Sequence, residues 1–277
     1  MTSHWLGRII LLIVAMSAPV LLGALIGDPA TDGMSMQAVT YGVACVAVVG
    51  IEHLRRGGSV HTSGLVPTPR SSRLALLGVA WAMIALLCVL LIALLLGGQL
   101  EVLSEPTFSM TGLSTIILFA IGEEVVFRGT ILEALRERFG PLTAVLATSI
   151  LFGLAHASNP GASTVSIINV TLAGVALGTA VVGTSSLWMA IGFHVTWNVA
   201  LSSVFGVVSG IDLGVRFAEL NTAGLDASVR PWLTGVFGVE EGYLTTILLV
   251  LSVAAIARFA PYDPYVQAAR YRRSFSS

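Results

Sequence analysis

Long apolar runs, separated by short polar stretches, set the pattern of this chain. A helix needs about 17 to 25 apolar residues to cross a bilayer. Runs of that order fall at about 6–26, 35–51, 75–97, 108–127 with a helical extension, 141–158, 163–182, 187–209 and 243–260. The pattern predicts an all-α fold, a polytopic membrane helical bundle of about eight transmembrane helices. The first run follows Arg8 and resembles a signal peptide, but no small-x-small cleavage site follows it, so a retained helix is expected.

Composition agrees with the pattern: 55% of the residues are hydrophobic and 10% charged, and the mean hydropathy is +0.90. A net charge of −1 argues against a nucleic-acid partner, and all 14 basic residues are arginines, which leaves no lysine for Schiff-base or general-base chemistry. Cys45 and Cys88 lie inside apolar runs and read as small core residues rather than as a disulfide or a thiol nucleophile.

The arginines orient the bundle. Arg55, Arg56, Arg70 and Arg73 precede the third run, Arg136 and Arg138 follow the fourth, and Arg258, Arg270, Arg272 and Arg273 follow the eighth. All fall on one side. The opposite connections hold Asp28, Asp32, Glu101, Glu105 and the segment 210–242, in which Asp212, Glu219, Asp226, Glu240 and Glu241 outnumber Arg216 and Arg230. A multi-pass protein of the cell membrane with both termini cytoplasmic is expected. Residues 1–107 would carry three N-terminal transmembrane helices, 108–208 a four-helix catalytic core, and 209–277 an extracytoplasmic polar loop that forms a small lid, the last transmembrane helix and a cytoplasmic tail.

Charged groups in hydrocarbon cost several kcal/mol each, so polar residues inside these runs ask for a reason. "GEEVVFRG" holds Glu123, Glu124 and Arg128; "FGLAHAS" holds His156, four residues after Phe152; "FHVTWN" holds His194 and Asn198. Positions i and i+4 share a helix face, so Glu124 can pair with Arg128, and His194 lies on one stripe with Asn198. Glu124 and Arg128 alone read as a structural clamp. Glu123, about 100° further round the helix, has no local cation. Either histidine alone reads as a helix–helix hydrogen bond, and Asn198 as polar glue. Depth joins them: a hairpin turning at Gly140 and Pro141 puts Glu124 and His156 each 16 residues from the turn, or roughly 24 Å at 1.5 Å per residue. His194 reaches the same level if that hairpin projects into water, as Arg136 and Arg138 require. The site is then expected to open on the cytoplasmic side.

"EEVVFR", "FGLAH" and "HVTWN" resemble the EExxxR, FxxxH and HxxxN motifs of the CPBP family, the CAAX-protease and bacteriocin-processing intramembrane endopeptidases. The resemblance covers residues 108 to 208 in residue type, order and spacing. It implies an eight-helix hydrolase in which Glu123 and His156 activate a water while His194 and Asn198 hold the oxyanion. Relatives of the Ras-converting enzyme cut prenylated CAAX tails, but other members act on other peptides, so that specificity does not transfer.

The chemistry is consistent with that implication. Burial raises a glutamate towards the pH at which it works as a base. A histidine across the water can pass its proton to the leaving amine, and the Asn198 amide with a ring N–H of His194 can donate to the tetrahedral oxygen. No cofactor is required. A zinc version would use Glu123, His156 and His194 as ligands, but the chain has no HExxH pair, and Asn198 suits an oxyanion better than a metal. The expected partners are a peptide or protein substrate in or at the membrane and the bilayer itself. Two other classes use the same residues: a non-catalytic immunity or scaffolding protein, and a proton-coupled transporter, the latter disfavoured by the lack of inverted repeats.

Overall fold

The computed structural model describes Leu65 and residues 67–259. The predicted runs 6–26 and 35–51, Cys45, and the tail after 259 lie outside them. Within them the chain is mostly helical. Helix α1 (Pro69–Leu95) starts where Pro69 follows Thr68, whose Oγ1 accepts the Ser71 N–H at 3.1 Å. After β1 (Gln99–Phe108), Ser109 caps α2 (Met110–Glu123) in the same way, at 3.0 Å from Gly112 N. A π-helical segment, Glu124–Ile131, and α3 (Leu132–Phe139) continue α2 as one rod. Gly140, at φ +83°, ends the rod, and Pro141 begins α4 (Pro141–Ala155). The turn expected at Gly140 and Pro141 is therefore present.

Next come α5 (Thr164–Thr184), opened by a Ser163/Ser166 capping box, and α6 (Trp188–Ala200), extended by a second π-helical segment, Leu201–Phe205. The segment that follows contains β2 (Val215–Asn221), the single turn α7 (Arg230–Leu233) and a 3-10 turn (Val239–Glu241) before α8 (Tyr243–Phe259). Three described helices are long and apolar enough to cross a membrane: α1, the rod Met110–Phe139, and α5. Pro141–Ala155 and Tyr243–Arg258 are apolar but shorter.

The all-α expectation needs one correction. β1 and β2 pair antiparallel, from Gln99 opposite Asn221 to Phe108 opposite Val215, with an irregularity between Val102 and Thr107. On β1 nearly every position is exposed, so no alternation of buried and exposed residues marks it in the sequence. Its partner lies more than a hundred residues away. The sheet ties the connection before α2 to the segment after α6, which places both at one end of the bundle.

Small residues let the helices that carry the site approach closely. A Cβ on Gly78 would lie 2.1 Å from Met189 O, and one on Gly192 2.3 Å from Ala75 O, so the α1 and α6 backbones touch. Gly153 meets Thr171 and Gly174 meets Ser149 between α4 and α5 in the same manner. One apolar core, with Leu86, Val89, Phe193 and Trp197, fills the space between α1 and α6; a second, with Phe127, Leu132, Phe152 and Val170, packs α4 against the rod.

Candidate active site

The rod delivers its charges from its π-helical segment. There the Leu132 N–H reaches back five residues to Phe127 O, and Thr130 Oγ1 to Val125 O at 3.2 Å. Such widened turns inside a helix recur at functional sites. Glu124 and Arg128 are fully buried and pair at 2.8 Å between Oε1 and Nη1, the i,i+4 pair expected from the spacing. The guanidinium carbon also lies 4.2 Å from the centre of the Phe152 ring, a cation–π contact. Glu124 Oε2 and Arg128 Nη2 have no hydrogen-bond partner among the described residues.

Glu124 does more than clamp. His194 Nδ1 lies 2.8 Å from the same Oε1, while Nε2 lies 3.6 Å from Glu123 Oε2. A carboxylate paired with a guanidinium only accepts, so His194 carries its proton on Nδ1. His156, the C-terminal cap of α4, has Nδ1 at 2.8 Å from the Phe152 carbonyl, which likewise only accepts. In both rings Nε2 is thus the nitrogen left for other work. Phe152 separates the rings, with centroids 4.7 Å from His156 and 6.0 Å from His194. The Asn198 amide makes no hydrogen bond among the described residues, which does not fit polar glue between helices.

Glu123, His156, His194 and Asn198 all line one cavity of about 650 Å³, walled in large part by apolar side chains such as Ile116, Phe119, Phe127 and Leu177. The four residues singled out by spacing and depth therefore open onto a common space. Glu123 keeps 17% of its side chain exposed there. Residues 105–200 match the family model described as Rce1-like, type II CAAX prenyl endopeptidase. Over these residues, about a third of the chain, the protein is similar to the Rce1-like family. No curated protein matches the chain.

The matched segment does not complete its own cavity. Val208, Ser209, Ile211, Leu213 and Glu240 also line it, and all follow the matched residues. This corrects the expectation of a site open on the side of the arginine-rich turns: the polar end of the cavity is built by the 156–163 connection and the 206–242 segment, at the opposite end of the bundle. Glu240 gave no signal among the intramembrane motifs, because "VEEGY" reads as a solvated loop. Its Oε2 accepts Ser209 N–H at 2.6 Å and Ser209 Oγ–H at 3.0 Å, and its Oε1 faces Trp197 Nε1 at 3.4 Å. Burial holds its carboxyl above the usual carboxylate range, against the pull of the Ser209 bonds and the nearby charge of His156.

Among the described residues no three His, Cys, Asp or Glu side chains are grouped so as to hold a metal ion. His194 and His156 each commit one nitrogen to a protein oxygen, an arrangement that suits ordered imidazoles as well as ligands.

Proposed function

We propose that the protein is an intramembrane endopeptidase that hydrolyses a peptide bond of a membrane-associated or lipid-modified peptide or protein. The observation that carries this reading is the shared cavity: a carboxylate, two imidazole Nε2 atoms and an unengaged amide face one largely apolar space. In the proposed step Glu123 takes a proton from a water as the water oxygen bonds to the substrate carbonyl carbon. The carbonyl oxygen becomes an oxyanion that Asn198 Nδ2–H and His194 Nε2–H stabilise, at about 3 to 4 kcal/mol per donor in other hydrolases. When the C–N bond breaks, the proton passes to the leaving amine through His156 Nε2. Because His194 already spends one N–H on Glu124, it donates to the oxyanion only when both nitrogens are protonated. Glu123, Glu124, Arg128 and His194 then sum to zero charge. No metal takes part.

Membrane-protein fragments in cells expressing the wild type should differ from those in cells expressing Glu123→Gln, and the difference should persist with purified membranes after chelation. Identical fragment sets would point to an immunity or scaffolding role, and loss on chelation restored by zinc alone would return Glu123, His156 and His194 to ligand roles.

The arginine asymmetry supports cytoplasmic termini, which puts the 206–242 segment outside and the polar end of the cavity with it. Exposed Ala223 and exposed Glu137 lie at opposite ends. With cysteine at either position in a background lacking Cys45 and Cys88, an impermeant thiol reagent on intact cells should label position 223 and spare position 137. The reverse pattern would overturn the orientation and place the cavity's polar end in the cytoplasm.

A further inference from the structure

Ser209 and Gly210 form the tip of a two-residue turn. Val208 N–H bonds to Ile211 O at 2.9 Å and Ile211 N–H to Val208 O at 2.8 Å, and the two central residues have φ of +48° and +79°. Both central φ are positive, as in a type I′ turn, a conformation common for glycine and uncommon for serine. Glycine is required at the second position, since a Cβ on Gly210 would lie 1.9 Å from Pro160 O. A strained residue persists where its surroundings over-determine it. Around Ser209 they do: its N–H and hydroxyl both donate to Glu240 Oε2, and its carbonyl accepts Asn159 Nδ2–H at 3.2 Å. Asn159 sits in the turn that carries His156, its own N–H bonded to His156 O at 3.1 Å. Glu240 also faces Trp197, the residue before Asn198. Its backbone is fixed in turn by Asn169, whose Nδ2 donates to Glu240 O at 2.8 Å and to Gly242 O at 3.1 Å.

We propose that Glu240 is a positioning residue of the cavity: through the Ser209-Gly210 turn it holds the 156–160 turn, and hence His156, in register with Asn198 on α6. The inference rests on the peptidase reading. It makes the 206–242 segment, outside the matched Rce1-like residues, a working wall of the site rather than a connection. Ser209, Asn159, Trp197 and Glu240 all line the cavity, so a shift of this latch moves the groups that the reaction uses. Asn159→Ala removes one strand of the latch, Glu240→Ala removes the pin, and Glu240→Gln keeps an oxygen that accepts from Ser209.

The test uses the full-length protein and two readouts. In hydrogen–deuterium exchange, Glu240→Ala and Asn159→Ala should speed exchange across 156–163 and 206–211 while α1 and α5 stay as in the wild type; Glu240→Gln should stay close to the wild type. Fragment production in membranes should fall about tenfold to a hundredfold in Glu240→Ala, the cost of small misplacements of reacting groups, and recover at least in part in Glu240→Gln. Unchanged exchange in both alanine variants would overturn the latch. Changed exchange with unchanged fragment production would overturn its role in positioning. Should Glu240→Ala fail to fold, the Asn159→Ala and Glu240→Gln pair decides by the same two criteria. If Glu123→Gln leaves the fragments unaltered, the peptidase reading fails by itself, and exchange still reports on the latch.

Discussion

Glu123→Gln should leave yield and melting temperature at wild-type values and reduce turnover by at least about a hundredfold, the lower end of what a positioned base contributes. The side chain faces the cavity with 17% of its surface exposed, and its charged contact there is His194 Nε2 at 3.6 Å. Glutamine preserves shape and an accepting oxygen, so packing is unaffected, but it cannot take a proton from water. The measurement is fragment release by purified membranes together with thermal unfolding of the purified protein. Retained turnover in this variant alongside a stable, inactive Glu124→Gln would give the base to the other glutamate. Two stable and active variants would end the catalytic reading.

How far the sequence shows the site depends on what each contact requires. Glu124 and Arg128 pair because four residues of helix suffice, so that contact was visible in "EEVVFR". Glu123 and His156 share a cavity because Gly140 and Pro141 turn the chain midway between them, and counting residues exposes that too. The His194–Glu124 bond was not visible. It needs α6 laid against the rod at one rotation, and that rotation is fixed where Gly192 and Met189 of α6 touch Ala75 and Gly78 of α1, a helix remote in sequence from both His194 and Glu124. The sheet escaped for a related reason, since β1 is defined by its backbone pairing with β2 and not by a buried face. Glu240 escaped because an acid three residues before α8 reads as solvated until Ser209 and Trp197 are seen to enclose it.

That unforeseen bond changes what is expected of the second glutamate. From spacing alone, Glu124 is a clamp whose loss acts on folding: Glu124→Gln leaves the buried Arg128 guanidinium without its counter-charge, a lesion of about 3 to 5 kcal/mol. A lower melting temperature and yield should follow. Glu124 Oε1, however, also holds the Nδ1 proton of His194 at 2.8 Å. A glutamine amide rotated to present its oxygen to His194 no longer carries the charge that favours a doubly protonated ring, and rotated the other way it offers Nδ1–H a donor. The two functions separate in the double variant Glu124→Gln with Arg128→Met. Removing both buried charges should recover part of the lost stability, because no guanidinium is then stranded against Phe152. It should not recover activity, because His194 still lacks its carboxylate. Thermal unfolding and fragment release of the wild type, both single variants and the double variant, measured together, check this. Recovery of activity along with stability would make Glu124 a clamp alone and return His194 to the role of an independent donor beside Asn198.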